Sequence, residues 1–67
     1  MFRKEAYKEA EARTGYKKRF IAQKMGIAYS RYIALCNGRL DWKAHEIEAA
    51  ADVLGLKVRE RNSIFFG

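Results

Sequence analysis

Apolar residues recur at helical spacing in four stretches of the chain. Phe2, Ala6 and Ala10 lie four apart and predict a first helix over residues 2–13, ended by Thr14-Gly15. Ile21, Ala22 and Met25 form the inner face of a second helix, from about Lys17 to Met25. Gly26 stops it, since glycine enters the left-handed region without steric cost. Ile27 re-enters the core, and a third helix from about Ala28 to Cys36 places Tyr32, Leu35 and Cys36 on one side, with Asn37-Gly38 as a turn or C-cap. Ala44, Ile47, Ala50, Ala51 and Leu54 mark the most regular amphipathic stretch, a fourth helix from about Trp42 to Leu54 with Asp41 as its N-cap. Tyr16 is expected to fold back on the core, Trp42 to cap the core beside the third helix, and Leu56 and Val58 to turn inward. The last stretch, 59–67, reads as a short fifth helix or a dimerising tail. Its Ile64-Phe65-Phe66 run is too apolar to be left wholly in water.

The pattern thus predicts one all-α domain of four to five helices over residues 1–67. Its organising feature is the pair 18–38. Two helices that cross steeply through a turn of about three residues bring their backbones close, so a small residue is needed near the crossing. Ala22 supplies it, four positions before Gly26. The simpler alternative for the same spacing is a generic helical hairpin.

Length and composition narrow the class. A 67-residue chain buries only about 60% of its unfolded surface, so its core is small. Cys36 is the single cysteine and His45 the single histidine, which provides neither an internal disulfide nor a metal ligand set. The opening Met-Phe-Arg-Lys is charged too early for a signal peptide, and no stretch approaches the roughly 20 apolar residues of a membrane span. The expectation is a cytoplasmic protein.

Charge changes the picture through its location. The net charge is +6. Residues 12–40 carry Arg13, Lys17, Lys18, Arg19, Lys24, Arg31 and Arg39 with no Asp or Glu, while the flanking segments nearly balance. The start of the second helix holds three cations at an end that favours anions, and it lacks a Ser, Thr or Asp cap. That arrangement has no evident folding rationale and suits an approaching phosphate.

Ile21-Ala22-Gln23-Lys24-Met25-Gly26 and the closing Leu35-x-Asn37-Gly38 resemble the helix-turn-helix of the Cro and phage-repressor family. Gly15-Tyr16 and Ala51-x-x-Leu54-Gly55-Leu56 extend the likeness over roughly residues 15–58. The resemblance implies a lambda-repressor-like fold with the motif at helices 2 and 3. It also implies that the first motif position, here Lys18 where the family usually has Gln, and Asn37 touch phosphate. A simple cap is the alternative for Asn37. Tyr32 departs from the family's usual Ile or Val.

In a helix-turn-helix the third helix enters the major groove by its amino end. The base-reading candidates are Ala28, Tyr29, Ser30, Arg31, Ile33 and Ala34. Arg31 has the donors for a guanine edge or a phosphate, Ser30 bonds any base, and Ala28, Ile33 and Ala34 suit a thymine methyl. Tyr29 reads base or phosphate, or packs beside Tyr32. The phosphate candidates are Lys17, Lys18, Arg19, Asn37 and Arg39.

The expected function is a sequence-specific regulator on double-stranded DNA, similar to a phage or prophage Cro or short repressor. It would act as a homodimer, at least on DNA, on a pseudo-palindromic operator, and be nucleoid-associated, in the host cytoplasm if phage-encoded. No cofactor, metal, membrane or small-molecule ligand is expected. A protein-interaction module on the same scaffold, antitoxin- or anti-repressor-like, is the alternative, favoured by the apolar tail. A single-stranded RNA binder ranks third, because most aromatics fall on inward positions. No paired-carboxylate site, metal cluster or phosphate-binding glycine loop points to an enzyme.

Overall fold

The computed structural model describes residues 1–67 as five helices and no strand: α1 (Lys4–Thr14), α2 (Lys18–Met25), α3 (Tyr29–Cys36), α4 (Ala44–Leu54) and α5 (Val58–Phe66). No helix is long and apolar enough to cross a membrane. α2 packs against both α3 and α4, and α1 bridges α3, α4 and α5.

The second and third helices form the expected helix-turn-helix. Gly26 adopts φ 77°, and its N–H and that of Ile27 bond back to the carbonyls of Gln23 and Ala22 at 3.1 Å each. This paired closure satisfies carbonyls that the helix end leaves open and reverses the chain within three residues. Ala22 is buried at the crossing, as its size requires. Ile27 packs half-buried against the core.

The core differs from the sequence expectation in which residues of α1 it uses. Tyr7, Ala10 and Glu11 are buried, while Phe2 and Ala6 are only half-buried. The inward stripe therefore runs through Tyr7 and not through the smaller Ala6, because the larger ring gains more from burial. Tyr7 lies among Phe2, Trp42 and Phe65, with ring centroids 5.3–5.9 Å away. Trp42 packs against the core, as expected, and does so within this aromatic cluster of Phe2, Tyr7 and Phe65. Lys43, directly after Trp42, is extended with φ −82° and ψ 155°. α4 then begins at Ala44 with Lys43 as N-cap, and the helix does not start at Asp41. Glu46 performs the capping instead, accepting the Lys43 N–H at 2.9 Å.

Three smaller expectations also change. Tyr16 stays exposed and leans on exposed Phe20 with centroids 4.9 Å apart. Val58 is exposed at the start of α5, whereas Leu56 is half-buried. The tail is helical: Ile64 and Phe65 close the core, and Phe66 remains in solvent. The Arg3 N–H bonds the Ile64 carbonyl at 2.7 Å, which ties the two ends of the chain together.

Candidate nucleic-acid interface

The starts of α2 and α3 come close together, with the Arg19 guanidinium of α2 over the Tyr29 ring of α3, and neither holds an acid of its own. α1, α4 and α5 each hold a glutamate in the first turn: Glu5, Glu46 and Glu60. α2 and α3 hold none. Helix amino ends carry partial positive charge and unpaired N–H groups. Two such ends thus open side by side on a surface that also carries Lys17 and Arg19.

Among the phosphate candidates, Lys17, Arg19, Asn37 and Arg39 are exposed and in no ion pair. The Arg19 guanidinium lies over the Tyr29 ring, 4.1 Å from its centroid. This stack joins a cation of α2 to an aromatic of α3 and leaves Tyr29 outside the core, 37% exposed, not packed beside Tyr32.

Lys18 requires a correction. Its ammonium is bonded to the Glu11 carboxylate of α1. Burial acts to lower its pKa, but the hydrogen bond and charge of Glu11 outweigh it and raise the value above that of an ordinary lysine. One of the three crowded cations therefore has a folding role that the sequence does not reveal. Glu11 also accepts from the Tyr32 hydroxyl at 2.6 Å, and Tyr32 in turn pairs with the Tyr7 hydroxyl at 2.8 Å. Burial pushes both tyrosines above their ordinary pKa, so these hydroxyls stay neutral. The buried Tyr32 hydroxyl is satisfied by this network.

Arg31 requires a second correction. Its Nε and Nη2 donate to the two oxygens of Glu46 at 2.7 and 3.3 Å. This pair raises the arginine pKa and, against the opposing effect of burial, holds Glu46 below the ordinary carboxylate value. Arg31 is half-buried, and the edge it was expected to offer to guanine is occupied by α4. Ile33 is a third correction: it packs half-buried against the core and is not a free apolar tip. Ala34 is half-buried as well. Ala28, Tyr29 and Ser30 remain exposed together at the amino end.

No family model, curated protein or solved structure matches this chain.

The two buried acids, Glu11 and Glu46, were missed because they lie outside the acid-free segment while folding onto it. A signal for each was present. Glu11 continues the helical stripe of Tyr7 and Ala10, and Glu46 stands at the third position of α4, where an acid reaches back to the helix start. Cys36 is half-buried beside this network, and burial pushes its thiol up to about 11.

Proposed function

We propose that this protein is a sequence-specific regulator that binds double-stranded DNA, of the Cro and phage-repressor kind. The observation that carries the reading is the juxtaposition of two helix starts that hold no acid of their own in the first turn with unengaged Lys17 and Arg19 and with exposed Ala28, Tyr29 and Ser30. Phosphate oxygens suit the first set, through backbone N–H groups and cations. Base edges suit the second, which stands where α3 would enter a major groove. Ser30 offers a hydroxyl to either groove edge, Ala28 a methyl, and Tyr29 a phenol held by Arg19. Arg31 and Lys18 act as braces between helices in this reading, and Asn37 and Arg39 extend the phosphate contacts beyond the carboxyl end of α3.

The protein measures 26 × 23 × 20 Å, less than the roughly 34–36 Å between successive major-groove entries on one face of the duplex. One copy therefore presents one recognition helix, and a pair of copies reads a two-fold site. Selection from a random duplex pool tests the proposal. Enrichment of a pseudo-palindrome whose binding is lost in a Lys17→Glu/Arg19→Glu variant supports it. A pool that stays random after repeated rounds argues against it.

A further inference from the structure

Three large aromatic side chains stay outside the core and gather along α2. Tyr16, Phe20 and Tyr29 are 46%, 39% and 37% exposed, and none belongs to the core cluster. Tyr16 and Phe20 touch, and the Lys24 ammonium lies 5.6 Å from the Phe20 centroid, one helical turn further on. Tyr16 and Tyr29 line one recess together with Lys17 and Arg19. The only acid at that recess, Glu11, is already engaged by Lys18 and Tyr32. Lys17, Arg19 and Lys24 form no ion pair. One exposed aromatic needs no explanation, but a row of them interleaved with free cations contributes nothing to the core and does. Tyr16, expected from the sequence to fold back on the core, instead extends this row outward.

We infer that this outer side of α2 binds single-stranded DNA, stacking unpaired bases on Tyr16 and Phe20 while Lys17, Arg19 and Lys24 hold the phosphates. A duplex presents base edges in its grooves and keeps its base faces stacked on one another, so it offers these rings no partner. A single strand supplies base faces and phosphates together, which is the combination that aromatics interleaved with cations recognise. Proteins that select RNA read its 2′-hydroxyl with a polar partner. Apart from the tyrosine hydroxyls, Gln23 is the one uncharged polar side chain exposed on α2. The face is also continuous with the proposed duplex surface through Lys17 and Arg19. These two features commit the strand to DNA. The choice of DNA over RNA rests in part on the duplex reading, whereas the stacking row does not.

Fluorescence anisotropy of the full chain with a labelled oligodeoxyuridine of about 12 nucleotides tests it, beside an abasic strand of equal length and charge. The strand with bases is expected to bind roughly 5- to 100-fold more tightly than the abasic one, as stacking of a single base supplies. A Tyr16→Ala/Phe20→Ala chain should bind both strands alike, at the abasic affinity. Phe20→Trp, which keeps a stacking face, should retain the preference for bases. Lys24→Ala should weaken both strands by a similar factor, since it removes charge and no ring. All three positions are exposed, so circular dichroism should show the variants folded.

Equal affinity for the two strands overturns the inference, as does a Tyr16→Ala/Phe20→Ala chain that keeps the wild-type preference for bases. An oligouridine of the same length, differing only in its 2′-hydroxyls, overturns the assignment to DNA if it binds roughly 10-fold more tightly or better. Duplex binding reports separately on the proposed function, and the double alanine chain should retain it. A chain that stacks the oligodeoxyuridine on these rings yet binds no duplex leaves the inference standing and removes the duplex reading. A chain that binds duplex but prefers neither single strand does the opposite.

Discussion

The Tyr32 hydroxyl of α3 donates to the buried Glu11 carboxylate of α1 at 2.6 Å, and the same carboxylate receives the Lys18 ammonium of α2. A single acid thereby fixes the relative placement of three helices, including both members of the helix-turn-helix. The Tyr7 hydroxyl extends the chain of bonds into the aromatic cluster. A recognition helix must be held at one angle for its first residues to meet base edges, so this network sits upstream of any readout.

Removing Glu11 should be the most damaging single loss in that network. Glu11→Ala leaves the Tyr32 hydroxyl and the Lys18 ammonium without their acceptor. Because Lys18 is partly solvated, the expected cost is about 2–3 kcal/mol and not the full penalty of a dry ion pair. For a domain of this size that lowers Tm by roughly 10–20 °C. Tyr32→Phe, which retains the ring, should lose only about 1 kcal/mol. Thermal unfolding followed by circular dichroism distinguishes the two.

The Arg31–Glu46 pair makes stability sensitive to acid. The arginine holds Glu46 below its ordinary 4.5, with burial opposing and the Lys43 N–H assisting. In the unfolded chain the carboxyl takes up a proton first, so its contribution is complete above about pH 4.5 and declines as pH falls through the lower folded value. The urea midpoint should drop on acidification through that range. Glu46→Gln should start lower at neutral pH and show a shallower decline.

Cys36 should be a slow thiol. Burial pushes it up from the ordinary 9.0 to about 11, against the opposing hydrogen bond of Tyr32. Its thiolate at pH 8 is scarcer than in an unfolded chain, and alkylation should be slower by roughly 100-fold on that ground alone. The folded form retains the proton that the unfolded form releases. Stability is therefore undiminished below about pH 9 and falls between there and pH 11. Iodoacetamide kinetics and urea titrations at pH 8–10.5 measure both.

Lys17 and Lys18 are neighbours in sequence with different expected roles. Lys18→Ala should destabilise the fold by about 1 kcal/mol by stranding part of Glu11. Lys17→Ala, at an exposed and unpaired position, should change Tm by less than about 2 °C. In duplex binding Lys17→Ala should lose affinity uniformly across sequences, and Arg19→Ala should in addition relax any preference exerted through Tyr29. Parallel melting and binding titrations separate these roles.

The helix pattern was legible because apolar spacing and glycine stops are local signals. Four of the helices are read from the sequence with boundaries displaced by one or two residues, and α5 realises one of the two readings, helix or dimerising tail, that the last stretch leaves open. α4 was misplaced because Trp42 follows the aromatic cluster on α1 and α5, a long-range preference that overrides the nearby Asp41 signal. The candidate surface was half legible. Exposure of Ser30, opposite Tyr32 and Leu35, follows from the period of α3, whereas that of Tyr29 does not, because its alternative was packing beside Tyr32. The engagement of Lys18 and Arg31 does not, because it depends on acids brought in from α1 and α4, and sequence charge counts treat those as distant.

In the proposed function the face shared by α2 and α3 binds duplex phosphates. The equilibrium constant for a selected duplex, measured from 50 to 200 mM salt, reports on those contacts. With Lys17, Arg19, Lys24 and Arg39 unengaged by acids, log K against log salt should fall with a slope of about −4 or steeper. The slope should become shallower by about 1 for each of these cations removed. An affinity that does not change across this salt range would contradict the account.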